Sequence, residues 1–311
     1  MNIVEKLVNQ LYFHGRALLT SGKTMNEIKL LVAKSILAER HKDNTYFESI
    51  HDAEFKVFSQ FGEDGIIQYL IWKCQIRPEE RTFIEFGAET YNEANTKFLM
   101  INNNWRGLLM EQSTGNVRKI NRMPILWMYN LAVLECLITP SNINSIISSA
   151  GFSDNVGLLS IDIDGIDYWV WQAITVTKPV IIVCEYNSVF GSDRAITVPL
   201  NENFYRMNAH HSSLFFGCSL RALHILAEKN GYALVGSNSS GNNAFFVRRD
   251  RLNGQPALSA KEAYVESQFR ESLDEKGNFT FVSGDARAGL IADMMVFDIE
   301  LGREVRLGDV I

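Results

Sequence analysis

The sequence predicts an α/β protein built on a seven-stranded, mostly parallel sheet whose last strand runs antiparallel, with a helical amino-terminal extension and a small carboxy-terminal one. Three observations carry that expectation. From about residue 55, short apolar runs alternate with stretches of helical periodicity. The runs are apolar throughout, as strands covered by helices on both faces require. The last two are joined by a loop too short for a crossover helix, so they pair antiparallel at one edge.

Taken in order, residues 1–50 form the helical extension, 51–250 the core and 251–311 the carboxy-terminal extension. Val4, Leu7, Val8 and Leu11 recur at helical spacing, as do Ile28, Leu31 and Leu37, and Ser21-Gly22 breaks the pattern between them. Gly22-Lys23-Thr24 is not a P-loop, because Ala17 stands where the motif needs glycine and no buried strand precedes it. This helical hairpin is expected to cap the core or to mediate dimerisation. The core strands are expected at Thr82–Phe86, Gly107–Glu111, Ile125–Tyr129, Gly157–Ile163, Val180–Glu185, Tyr232–Gly236 and Ala244–Val247. Helices fit at Glu63–Lys73, Asn95–Asn102, Ser141–Ala150, Tyr168–Ile174 and Ser219–Asn230. After Arg249 a Gly- and Pro-containing break leads to a short helix and strand-like pieces at Thr280–Val282 and Met294–Phe297.

Composition excludes several classes. The 311 residues carry 30 Lys+Arg against 36 Asp+Glu, and an acidic balance argues against a nucleic-acid binder. No apolar run is long enough for a transmembrane helix. Glu5 and Asn9 interrupt the place of a signal-peptide apolar segment, so a cytoplasmic location is expected. Cys74, Cys136, Cys184 and Cys218 lie far apart with no CxxC pair, which argues against a zinc cluster or disulfide framework.

Ligands of a doubly wound sheet bind outside the carboxyl ends of its strands. The first strand ends in Glu85-Phe86-Gly87-Ala88-Glu89, an acidic residue and a glycine turn that lets backbone approach a ligand. The second ends at Glu111, placed to accept hydrogen bonds from ribose hydroxyls. In the fourth, alternation puts Asp162 and Asp164 on one side, with Asp167 just beyond and Glu185 ending the neighbouring strand. Buried carboxylates are costly unless paired, hydrogen-bonded or bound to a cation. Asp164 and Glu185 therefore either hold Mg²⁺ or, with their neighbours, cap the following helix and bind its backbone amides. His210-His211 offer a general base, or serve as solvated scaffolding. Gln60 and Phe61 precede a helix at Glu63–Lys73, where Glu63 and Asp64 suit a plain helix start.

These strings resemble the class I S-adenosylmethionine-dependent methyltransferases, in particular the FkbM-type branch, over about residues 55–250. Phe83-Ile84-Glu85-Phe86-Gly87-Ala88 looks like the family's first motif, and Leu109-Met110-Glu111 like its ribose-binding strand end. Asn130-Leu131-Ala132-Val133 is similar to the third strand that lies along the adenine, and Ser160–Asp167 to the fourth motif. The resemblance implies a Rossmann-like class I methyltransferase sheet. It further implies cofactor contacts at Gln60, Phe61, Glu85, Gly87, Glu89, Glu111, Asn130 and Asp162, metal ligands at Asp164 and Glu185, and a base at Asp167, where the family commonly has histidine. The loop after Gly87 is two residues longer than the family's and lacks its second glycine. The expected activity is methyl transfer from S-adenosylmethionine to a hydroxyl of a sugar, glycan or nucleotide-linked sugar, with or without Mg²⁺. The alternative is a non-catalytic module of the same fold that binds a glycan or a partner enzyme.

Overall fold

The computed structural model describes residues 24–39 and 49–311. Residues 24–39 are helical (α1) and belong to a first unit, Met1–Glu48; Ser49–Ile311 form a second. The helix expected around Val4–Leu11 lies outside the described residues.

In the second unit α2 (Glu63–Lys73) leads to β1 (Thr82–Phe86), α3 (Lys97–Asn103), β2 (Arg106–Glu111), α4 (Thr114–Asn121) and β3 (Leu131–Glu135). Then follow α5 (Ile143–Ser149), β4 (Leu158–Ile161), α6 (Asp167–Ala173), β5 (Ile181–Glu185), β6 (Ile196–Thr197) and α7 (Arg206–Ala209). The chain closes with α8 (Leu220–Lys229), β7 (Tyr232–Ser237), β8 (Asn243–Arg248), α9 (Ala260–Ala263), α10 (Ala286–Leu290), β9 (Met295–Asp298) and β10 (Arg303–Arg306). The main sheet has the order β3-β2-β1-β4-β5-β8-β7, parallel except that β8 runs antiparallel to both β5 and β7.

Alternation along the strands sends side chains to two apolar layers. Ile84, Phe86, Leu108, Met110, Leu159 and Ile161 pack with Ile143, Val170 and Leu223 from α5, α6 and α8. Phe83, Leu109, Leu158 and Ile181 pack with Ile66, Leu70 and Leu99 from α2 and α3 on the other face. Helix α8 shows how the sequence makes such an element. The Ser219 hydroxyl accepts from Ala222 N–H at its start, Leu220, Leu223, Leu226 and Ala227 line the buried face, and Gly231 leaves in a left-handed turn.

The third strand was expected at Ile125–Tyr129, and that stretch is instead a 3₁₀ turn, with Met128 N–H bonded to Ile125 O and Tyr129 N–H to Leu126 O. The strand is Leu131–Glu135, in register with β2 from Gly107↔Leu131. As the sheet's edge it is only half-buried, so its sequence signal is weaker than that of the exposed apolar turn, where Trp127 is 85 % exposed. Thr280–Val282 is not a strand; only an isolated Leu273↔Phe279 bridge forms nearby. Helix α4 and a second sheet, β10-β9-β6, were not foreseen. Through β9 the last fifty residues pair with the segment after β5, and Ile291, Val296 and Leu307 are buried in the main core. No described helix is long and apolar enough to cross a membrane.

Candidate active site at the carboxyl edge of the sheet

Strands β1, β2, β4 and β5 run parallel and end at one edge, where the sequence concentrates its carboxylates. Gly87 follows β1 with φ +68, and its N–H bonds to Met110 O at 3.0 Å. A Cβ on Gly87 would lie 1.8 Å from Asp162 O, so glycine is what allows the turns after β1 and β4 to touch. Glu111 is nearly buried at the end of β2. Its Oε2 accepts Glu89 N–H at 2.8 Å and its Oε1 accepts Ser113 N–H at 2.8 Å. Each oxygen keeps a second lone pair for a ligand hydroxyl.

Glu85 stands elsewhere than expected. It shares the face of Phe83, where it accepts Asn95 N–H at 2.9 Å and the Thr96 hydroxyl at the start of α3. Burial raises its pKa to about 7 against the opposing hydrogen bonds from Thr96 and Asn95. Glu89 is exposed with φ +46, Gln60 is exposed, and the Phe61 ring stacks on Phe269 at 4.8 Å. Asn130 is exposed and uses its carbonyl to accept Gly107 N–H, holding β3 against β2.

Strand β4 ends at Ile161, two residues earlier than expected, so Asp162 and Asp164 leave from a loop and not from alternate strand positions. Asp164 has φ +54, and the loop is closed by Asp167. That buried carboxylate accepts Ile163 N–H at 2.8 Å through Oδ1 and Gly165 N–H at 3.1 Å through Oδ2. Burial lifts the Asp167 pKa to about 6 although both amides favour the anion. Asp167→Asn would present an N–H₂ group to a backbone amide. It is expected to cost about 1–3 kcal/mol of stability, read by denaturant unfolding.

The loop brings one oxygen each of Asp162, Asp164 and Glu185 within 4.8 Å of one another. Burial, then the charges of Asp164 and Asp167, push the Asp162 pKa well up; burial, then Asp162 and Asp164, do the same to Glu185. Glu185 Oε2 is enclosed and has no hydrogen-bond partner. An orphaned carboxylate oxygen within reach of two further carboxylates is an oxygen donor set that fits a hard divalent cation.

Sequence reasoning missed the cation already present. Arg206, on α7, donates from Nη1 to Asp164 Oδ1 at 2.7 Å and from Nε to Ser213 O at 2.7 Å. Its guanidinium lies 3.6 Å from the Phe216 ring centroid. The available signal was a lone arginine in a polar segment, and nothing in its spacing ties it to Asp164. The His210 and His211 rings lie 4.2 Å apart, tilted by 37°, and His210 Nδ1 lies 2.8 Å from Ser212 Oγ. Burial and then His211 lower the His210 pKa, which favours the neutral ring.

The sheet order, with β8 inserted antiparallel, is that of the Rossmann-like class I methyltransferase fold. No protein-family model matches the sequence, and no curated protein is similar to it. Among solved structures the chain is similar to the methyltransferase domain of bacterial CtHen1-C, at 13% identity and TM-score 0.34 over 58% of this chain and 97% of that one. It is also similar to the N-terminal domain of EvdMO1, solved with SAH and D-fucose, at 10% identity and TM-score 0.37 over 69% and 94%. A third is an O-methyltransferase family protein from Burkholderia thailandensis, at 12% identity and TM-score 0.35 over 60% and 57%. The functional reading therefore rests on this chain's own residues.

Proposed function

We propose that the protein is an S-adenosylmethionine-dependent O-methyltransferase acting on a hydroxyl of a sugar, glycan or nucleotide-linked sugar, with Mg²⁺ as an aid at Asp162, Asp164 and Glu185. The observation that carries this reading is the contact between the Gly87 turn and the Asp162 carbonyl, with Glu111 at the end of the adjoining strand. When bound, the cofactor supplies a methyl group on a sulfonium centre. Glu111 offers its free lone pairs to the ribose hydroxyls, and Gly87 lets backbone come close to the ligand. We give the proton-accepting role to the Asp162–Glu185 pair in place of Asp167, whose two oxygens hold the loop. Glu185 Oε2 has no hydrogen-bond partner to compete with a substrate hydroxyl, and a divalent cation at the cluster would orient that hydroxyl and lower its pKa. Fixed geometry supplies much of the remaining rate.

Calorimetric titration with S-adenosylmethionine tests the reading. Binding in the micromolar range is expected, and Glu111→Ala should weaken it at least about tenfold, the cost of losing one charged hydrogen-bonding partner. An unchanged affinity in that variant would remove Glu111 from the cofactor site. Absence of heat with the wild-type protein would instead favour the non-catalytic module. The observation on that side is the Glu89 N–H bond to Glu111, which draws the lengthened loop onto the site.

A further inference from the structure

We infer that Arg206 is a displaceable counter-ion shared by two carboxylate sites, and that a divalent cation entering among Asp162, Asp164 and Glu185 transfers it from Asp164 to Glu271. The inference rests on the reading of that cluster as a cation site and is independent of which hydroxyl is methylated. Arg206 is a positioning residue here, since it acts through the carboxylates it pairs with.

The base of the guanidinium is fixed. Nε is bonded to Ser213 O at 2.7 Å, the plane rests on Phe216 at 3.6 Å, and the side chain is only 20 % exposed. Its two outer nitrogens face different partners. Nη1 holds Asp164 Oδ1 at 2.7 Å, whereas Nη2 stops 3.9 Å from Glu271 Oε1, beyond hydrogen-bond reach. Glu271 Oε2 is enclosed with no partner, as is Glu185 Oε2. Two carboxylates with orphaned oxygens thus flank a single arginine, and each orphan costs free energy that a cation would recover.

Asp164 is the partner easiest to release. Its side chain is 53 % exposed, and one of its oxygens already lies within 4.8 Å of oxygens of Asp162 and Glu185, so an ion can engage it without rearranging the loop. A divalent ion that takes Asp164 leaves the Nη edge without a partner, and Glu271 is then the nearest carboxylate. Glu271 belongs to a segment that spans the loops at the carboxyl edge. Val265 O accepts the Tyr186 hydroxyl at 2.7 Å, Phe269 stacks on Phe61 at 4.8 Å, and Leu273 N–H bonds to Ser212 O at 3.2 Å. Drawing Glu271 onto Arg206 tightens the stretch between Phe269 and Leu273 against the site. Cation binding and ordering of this segment are therefore linked, and linkage works in both directions.

The test titrates Mn²⁺ into the full-length protein, following free Mn²⁺ by electron paramagnetic resonance and hydrogen exchange in peptides covering 264–282. Saturation should slow exchange there about fivefold or more, at the lower end of usual coupling. Glu271→Gln should weaken Mn²⁺ binding about tenfold and abolish the slowing, because the displaced guanidinium then has no charged partner. Arg206→Gln should tighten Mn²⁺ binding by a similar factor by removing the competing cation. Wild-type exchange that does not respond to saturating Mn²⁺, equal affinities in the wild type and Glu271→Gln, or no Mn²⁺ binding at all would each overturn the inference. S-adenosylmethionine calorimetry judges the methyltransferase reading separately, so the two can fail independently.

Discussion

Gly87→Ala should destabilise the core by several kcal/mol and abolish S-adenosylmethionine binding, while Gly231→Ala should cost only about 1–2 kcal/mol. Both glycines have positive φ, +68 and +83, so the intrinsic left-handed penalty of about 1–2 kcal/mol applies to each. They differ in surroundings. Nothing lies within 4 Å of a Cβ on Gly231, whereas one on Gly87 meets Asp162 O at 1.8 Å and Asp162 C at 2.9 Å. A backbone carbonyl cannot swing away as a side chain can, so the turns after β1 and β4 must separate, adding an overpacking cost of about 1–3 kcal/mol. That separation displaces Asp162 together with the loop that holds Asp164. Denaturant unfolding of both variants, with calorimetry on whichever remains folded, measures the two contributions. Equal stability losses at the two positions would mean that the close contact carries no weight.

How far the sequence discloses this site depends on where each residue's partners come from. Helix α2 and strand β1 fall where periodicity puts them, because their burial is nearly continuous and local pattern dominates. Asp164 and Glu185 could be brought together on paper since parallel neighbouring strands deliver their carboxyl ends to one edge. The edge strand β3 could not be read correctly, being half-exposed beside a more apolar turn. Glu85 and Asp167 look like ligand-facing carboxylates in the sequence. Their oxygens instead meet backbone amides and a hydroxyl supplied by the folds of the chain just beyond them, a use that only the loop conformation discloses. Arg206 and Glu271 meet through an irregular segment and a carboxy-terminal stretch far along the chain, with no spacing rule to connect them.

Glu80→Gln should lower stability by about 3–5 kcal/mol at neutral pH, the usual cost of removing one member of a buried ion pair. The Glu80 side chain is 3 % exposed and accepts from Arg251 at 2.6 and 3.0 Å and from Arg77 N–H at 2.9 Å. Arg251 in turn ties Cys74 O and Gln75 O after α2, so one pair joins the end of α2, the start of β1 and the end of β8. Burial pushes the Glu80 pKa up, but the bonds from Arg251 and Arg77 outweigh it and bring it down to about 2 from 4.5. Between those two values the unfolded chain binds more protons than the folded one, so stability rises with pH there; the contribution is complete above 4.5 and lost as pH falls toward 2. Asp64, Glu85 and Asp167 act oppositely. Burial raises them to about 6, 7 and 6, so the folded protein holds the extra protons and stability declines as pH rises from about 4 through 7. Denaturant midpoints across pH should therefore rise on the acid side and fall toward neutrality in the wild type, whereas Glu80→Gln keeps the fall and loses most of the rise. A variant that retained the full acid-side rise would show that other carboxylates, and not this pair, govern acid stability.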